Sequence, residues 1–288
     1  MNVAREPAEL APARRAAAIG TFDGVHLGHR RVVEAAQAAG LRTTVVTFDP
    51  HPRAVLGGRV ELLATLERRL ELLEAAGVDD VLVLRFDEHL AALEAEEFAE
   101  RMLRGIGADV IAVGETFRFG RGREGNLALL EALGFDVRRV PLLANVSSSR
   151  IRELVHAGEM ERAAALLGRP PEVEGIVVHG DGRGRALGFP TANLDVPAGL
   201  LVPPDGVYAG WTNGRRAAVS VGTNPQFDGV ERRVEAHLLD FDDDLYDQRL
   251  VVEVWSRLRG QMRFDSVDDL VTAIGDDVSH TREAARPV

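Results

Sequence analysis

Apolar and polar positions follow two different rhythms along this chain, and the change comes near residue 170. Before it, short apolar runs are separated by stretches with helical spacing. Residues 16–19 predict a short strand, and 29–39 predict a helix that Gly40 ends. Residues 43–48 (TTVVTF) are β-branched and predict a second strand. Leu62, Leu63, Leu66, Leu70 and Leu73 recur at helical intervals, and Gly77 closes that helix. Strands at 81–84, 110–113 and 137–140 then alternate with helices marked by Phe98, Met102 and Leu103 and by residues 127–133. Such a β-α-β-α order implies a parallel sheet with helices on its faces. Residues 149–157 and 159–167 predict two more helices before Gly168-Arg169-Pro170-Pro171 breaks the pattern. After that break the runs are strand-like, at 173–179, 207–211, 217–221, 234–240 and 250–255. Asn213-Gly214 supplies a hairpin turn, and one helix follows at 267–274. The expected architecture is an α/β domain over residues 1–168 and a small antiparallel β-barrel with a C-terminal helix over 171–288. Residues 1–15 predict only a mobile lead-in.

Composition narrows the function. A length of 288 residues fits two domains, and 45% hydrophobic content supplies a core for each. The formal net charge of −11 argues against a nucleic-acid binder or an anionic-membrane binder, and no apolar run is long enough to span a bilayer. The N-terminus does not read as a signal peptide, and the chain has no cysteine. A cytoplasmic protein is expected, and a homo-oligomer is compatible with the sequence. Lysine is absent, which excludes a Walker phosphate loop and Schiff-base chemistry.

Two segments carry candidate chemistry in the first domain. Gly20-Thr21-Phe22-Asp23-Gly24-Val25-His26-Leu27-Gly28-His29 lies between the first strand and the first helix, at the carboxyl edge of the sheet where ligands bind. His26 and His29 at a helix start add imidazole donors to free N–H groups and a positive helix dipole. Alone, the pair is also compatible with a surface turn. Val146-Ser147-Ser148-Ser149-Arg150-Ile151-Arg152 combines hydroxyls, a helix start and arginines. Ser147 and Ser148 read equally as caps, while Arg152 offers a fork of donors for phosphate.

GTFDGVHLGH resembles the first signature of HxGH nucleotidyltransferases, and VSSSRIR resembles their second, with Ser149 where Thr is usual. Together with Thr47-Phe48-Asp49-Pro50-His51-Pro52 and residues 113–120, they are similar to the FAD synthetase module of bacterial bifunctional riboflavin kinase/FAD synthetases. The resemblance implies a Rossmann-like nucleotidyltransferase domain. Its reaction would transfer AMP from ATP to FMN, giving FAD and pyrophosphate. Gly20, Thr21, Phe22, Asp23, Gly24, His26, His29, Ser147, Ser148 and Arg152 would hold the nucleotide, with His26 and His29 catalytic. Thr116 stands where the family commonly has Asp or Asn.

In the second domain, residues 179–193 (HGDGRGRALGFPTAN) follow a strand. Glycines free backbone N–H groups for phosphate, and Thr191 and Asn193, two apart on an extended segment, share one face and offer oxygens suited to Mg²⁺. A glycine-rich stretch alone is a common surface loop, and Glu235 alone reads as a solvated strand position. The stretch resembles the flavokinase signature, and the resemblance continues through residues 204–210, 222–227 and 234–240. It implies that Gly180, Gly182, Gly184, Arg185, Gly188, Thr191 and Asn193 bind nucleotide. It also implies that Thr191 and Asn193 meet the metal and that Glu235 is the base. Gln261 stands where Glu is usual, and Tyr246-Asp247 where Tyr-Gly is common. Asp242-Asp243-Asp244 reads as a solvated turn.

The expected function is therefore ATP-dependent conversion of riboflavin to FMN and of FMN to FAD, with Mg²⁺ accompanying ATP. Riboflavin, FMN and ATP are the expected partners. Two alternatives stand beside it: a chain with one inactive module, the adenylyltransferase first, or a non-catalytic flavin- or nucleotide-binding regulator.

Overall fold

The structure is a computed structural model that describes residues 1–180, 182–224 and 231–288. The chain divides into two compact units, Met1–Val60 with Leu66–Val146, and Glu61–Thr65 with Ser147–Val288.

The first unit holds a six-stranded parallel sheet. Its strands are β1 (Asn2–Ala4), β2 (Arg15–Ile19), β3 (Arg42–Asp49), β4 (Asp80–Arg85), β5 (Ala108–Gly114) and β6 (Asp136–Val140). Their order is β1-β4-β3-β2-β5-β6. β2 alternates its side chains between two cores. Ala17 and Ile19 pack with Leu82, Phe98, Leu103 and Ile111 on one face. Ala16 and Ala18 pack with Val32, Val33, Leu72 and Leu73 on the other. The last two groups come from helices α1 (Leu27–Gln37) and α2 (Leu66–Ala75). Alanines in the central strand let α1 lie close to the sheet. Beyond β2 the chain runs outward through β3 and β4, and after β5 it runs the opposite way. The sheet therefore reverses direction between β2 and β5, the place where such folds bind ligands.

Two expectations are corrected here. The lead-in is not loose: β1 pairs in parallel with β4, and Arg15 is buried at the head of β2. A three-residue strand is too short to show a period. Leu62 and Leu63 are not helical either. Leu62 bridges Leu200 in the second unit, and the helix starts at Leu66. Their leucines matched the helical period because they continue an apolar run into a different core.

The second unit is a closed barrel. Its strands are β7 (Glu172–Val178), β8 (Ala192–Asp195), β9 (Gly206–Thr212), β10 (Arg215–Asn224), β11 (Glu231–Leu238) and β12 (Arg249–Arg259), ordered β10-β11-β8-β7-β12-β9. Closure removes free strand edges. Val219, Val221, Val234, Ala236, Leu238, Val252 and Val254 fill its interior, in one core with Ile151, Leu154, Met160 and Leu167. Those four come from the helices α3 (Ser148–His156) and α4 (Met160–Leu167), which pack with the barrel unit.

The C-terminal helix α5 (Val267–Glu283) extends well past the expected end at 274. Beyond that point polar ties hold it. Arg259 pairs bidentately with the buried Asp277, and Arg216 donates to the carbonyls of Thr281 and Ala284. Arg282 grips Asp240. A helix seated by ion pairs has no apolar stripe for the sequence to display.

Candidate active sites

His26 is the N-cap of α1. Its ring Nδ1 accepts the His29 backbone N–H at 3.3 Å, which leaves its Nε2 to carry the proton. The two imidazoles stack with centroids 3.6 Å apart and planes 14° from parallel. A Cβ at Gly28 would lie 3.1 Å from the His26 ring, so the glycine between the histidines is what admits this stacking. Burial drives the His29 pKa well below its ordinary value, and the neighbouring His26 and Arg69 push it further the same way. The ring is neutral at pH 7, and its buried Nδ1 has no partner among the described residues.

The loop entering this pair is tightly wound. Phe22, Gly24 and Val25 all have positive φ, at 50°, 79° and 38°. For a β-branched valine that is a rare conformation, held because Phe22 and Val25 are both buried. Gly20 lies against the Phe22 ring, and Asp23 is buried with them. Thr116 is exposed in the turn just beyond β5, on the carboxyl edge beside β2.

Ser147, Ser148 and Arg152 pack with the second unit. Ser147 caps α3 by accepting the Arg150 N–H, and Arg152 Nε donates to the Glu61 carbonyl at 2.6 Å.

In the barrel, the register of β8 against β11 sets Asn193 directly opposite Glu235. Directly paired residues of an antiparallel ladder share a face. Val234, Ala236 and Leu238 point into the barrel, so Glu235 and Asn193 lie on its outer surface, with Ser220 beside Glu235 on β10. Thr191 Oγ1 lies 3.4 Å from Glu235 Oε2. The glycine-rich loop folds onto this group. A Cβ at Gly180 would strike the Asn193 amide at 2.4 Å, and one at Gly184 would meet the Phe189 carbonyl at 2.4 Å and Thr191 Oγ1 at 3.4 Å. Gly182 and Gly188 adopt positive φ, and Arg185 is exposed on the short helical turn Arg183–Ala186. His179 and Tyr246 pack at the entrance of the loop with centroids 3.9 Å apart and ring planes tilted by 33°. Asp181 and residues Pro225, Gln226 and Phe227 of the second matched stretch lie outside the described residues.

The two departures near the end acquire physical reasons. Gln261 Nε2 donates to the Val221 carbonyl at 2.9 Å, a bond that an ionised Glu cannot make. Asp247 has φ 62°, which explains why glycine suits that position and why Asp is tolerated.

Sequence reading missed one residue of the first site. Arg69 on α2 is only 5% exposed. Its Nη1 donates to the Thr21 carbonyl at 2.7 Å, and Nη2 lies 3.8 Å from Asp49 Oδ1. The available signal was an arginine three and four residues before Leu72 and Leu73, on the inward face of the helix.

Comparison with known proteins matches both units. A FAD synthetase family model covers residues 9–152, and a riboflavin kinase family model covers 167–285. A bifunctional riboflavin kinase/FMN adenylyltransferase from Escherichia coli (strain K12) is 36% identical over 292 residues, covering 92% of this chain and 91% of that protein. One of the same description from Pseudomonas fluorescens is 36% identical and covers 100% and 99%. A crystal structure described as a macrolide-efflux protein from Streptococcus pneumoniae is 31% identical with a TM-score of 0.89, covering 98% of this chain and 99% of that one. Among the described residues, no helix is long and apolar enough to cross a membrane.

Proposed function

This chain belongs to the bifunctional riboflavin kinase/FMN adenylyltransferase family, and from that premise we propose how its residues divide two reactions. The chain phosphorylates riboflavin to FMN with ATP and adenylylates FMN to FAD with release of pyrophosphate. We assign the first reaction to the barrel and the second to the parallel sheet, with the functional boundary at residues 168–171.

In the kinase step, Glu235 takes the proton from the terminal ribityl hydroxyl as its oxygen attacks the γ-phosphorus. The bond from that phosphorus to the β-γ bridging oxygen breaks, and ADP leaves. The observation that carries this assignment is the meeting of Thr191, Asn193 and Glu235 on one surface, under a loop whose Gly180 and Gly184 leave no room for a Cβ. Gly180, Gly182, Gly184, Arg185 and Gly188 line the ATP phosphates. The oxygens of Thr191 and Asn193 fit Mg²⁺, which keeps most of its shell as water and phosphate. Bound there, Mg²⁺ supplies charge neutralisation for the triphosphate.

In the transferase step, an FMN phosphate oxygen attacks the α-phosphorus of ATP, and the bond to pyrophosphate breaks. No covalent enzyme intermediate is needed, so the work is alignment and charge stabilisation. His26 Nε2–H and neutral His29 donate to phosphate oxygens, with loop residues Gly20, Thr21, Phe22, Asp23 and Gly24 shaping the cradle. We also assign Ser147, Ser148 and Arg152 to nucleotide binding, on the resemblance of their segment to the second signature. The histidine stack at a helix start, where the sheet reverses, supports this reading. We place the enzyme in the cytoplasm, where its nucleotide and flavin substrates circulate.

The test is incubation with riboflavin, ATP and Mg²⁺ followed by separation of products. Both FMN and FAD are expected. Glu235→Gln is expected to lower FMN formation by about 100-fold or more while FAD still forms from supplied FMN. FMN alone from the wild-type chain would mean an inactive sheet module, and neither product would remove the reading.

A further inference from the structure

Arg69 occupies a place that an arginine enters only at a cost. It is buried on α2, its Nε has no partner among the described residues, and burial itself works against its charge, with Asp23 and Asp49 offsetting that. Yet its hydrogen bonds do not go to a carboxylate. Nη1 donates to the Thr21 carbonyl at 2.7 Å and lies 3.4 Å from Thr47 Oγ1. The Thr47 hydroxyl donates to the same carbonyl at 3.0 Å. Two donors from α2 and β3 therefore converge on one oxygen.

That oxygen belongs to the residue immediately before the left-handed turn of Phe22, Gly24 and Val25. A peptide is planar, so fixing the Thr21 carbonyl also fixes the plane from which Phe22 departs. Strained backbone persists only where its surroundings over-determine it. Buried packing of Phe22 and Val25 does part of this, and the double hydrogen bond at Thr21 does the rest. The turn leads directly to His26, whose ring position sets the stack with His29. Arg69 thus acts on the histidines through the backbone, in addition to the charge it sets near His29.

We propose that Arg69 is a positioning residue for adenylyl transfer, clamping the Thr21 carbonyl together with Thr47 so that the loop presents His26 and His29 in register. The inference rests on the function assigned above. A displaced but intact site loses turnover more than binding, because misplacement on the ångström scale costs on the order of 100-fold in rate.

The experiment measures kcat and KM for FAD formation from supplied FMN and ATP in full-length Arg69→Met, Arg69→Lys and Thr47→Val, with riboflavin kinase activity of the same chains alongside. Arg69→Met is expected to lower transferase kcat by about 100-fold with KM for FMN changed less than about threefold. Arg69→Lys, which keeps a donor and the charge, should recover about tenfold of that loss, and Thr47→Val should lower the same kcat about fivefold. Kinase activity should not move. Should Arg69→Met unfold the first unit, judged by its thermal transition, the Lys and Val variants decide. Wild-type kcat in both of them, or in folded Arg69→Met, overturns the proposal. A loss confined to KM also overturns it. Absence of FAD formation by the wild-type chain would instead remove the two-reaction reading, and this inference with it.

Discussion

His29 is a histidine that the fold keeps uncharged. Burial comes first among the causes, then the stacked His26, then Arg69. A neutral His29 avoids repulsion between two stacked imidazolium rings whose centroids lie 3.6 Å apart. The same shift links stability to pH. An unfolded histidine takes up a proton near pH 6.5, whereas folded His29 does so only at lower pH. Between those values the unfolded chain binds more protons, so this residue lowers stability as pH falls below about 6.5. His29→Gln removes that proton difference. From pH 7.5 to pH 5.5, the melting temperature of the first unit should therefore drop further in wild type than in His29→Gln. Equal drops would show that His29 is not held neutral. At this scale the sequence displayed the two imidazoles at a helix start but not their state. The HxGH spacing put two imidazoles at a helix start. Their stacking depends on the Gly28–His26 contact, and the charge on Arg69 comes from another helix. Neither is written in local spacing.

Elements were legible where an apolar period drives them and illegible where polar ties do. β3, α1 and β5 follow from alternation and helical spacing, because each buries one apolar face. β1 is three residues long and α5 is seated largely by Arg216, Arg259 and Arg282, so neither had a period to read. The amino edge of the parallel sheet shows the same physics. Asp80 at the head of β4 is 1% exposed and lies between Arg42, with Nη2 to Oδ1 at 2.8 Å, and Arg15, with Nε to Oδ2 at 3.4 Å. Burial pushes the Asp80 carboxyl up, but the hydrogen bond and charge of Arg42 and the charge of Arg15 outweigh it and hold the pKa below the ordinary value. This edge is opposite the histidine loop, so its role is stability. Asp80→Ala should destabilise the first unit by about 3–5 kcal/mol, because it leaves the Arg15 guanidinium buried beside no carboxylate. Denaturant unfolding checks this. In wild type, the contribution of Asp80 is present above about pH 4 and fades as acid titrates it below that. A loss under about 1 kcal/mol would mean that the carbonyls of Ala11, Ala13 and Ile106, which accept from the Arg15 guanidinium, suffice.

At the scale of the whole molecule, one chain carries two unrelated solutions to phosphate chemistry. In the proposed assignment the sheet unit uses a helix start and an imidazole stack where its strand order reverses. In the same assignment the barrel uses glycines that fold backbone onto Thr191 and Asn193, with a carboxylate across the ladder. The change of texture near residue 170 announced two architectures, while the packing of α3 and α4 with the barrel core was not visible in it. Helices that follow an α/β pattern look the same in sequence whichever core receives them. The central claim is that the two reactions rest on separate residue sets, and mixing tests it directly. His29→Ala should form FMN from riboflavin but no FAD, and Glu235→Ala should form FAD only when FMN is supplied. Combined in one tube with riboflavin, ATP and Mg²⁺, the two folded variants should together produce FAD. If either substitution abolished both activities, or the mixture made no FAD while each variant kept its own step, the division of labour would be contradicted.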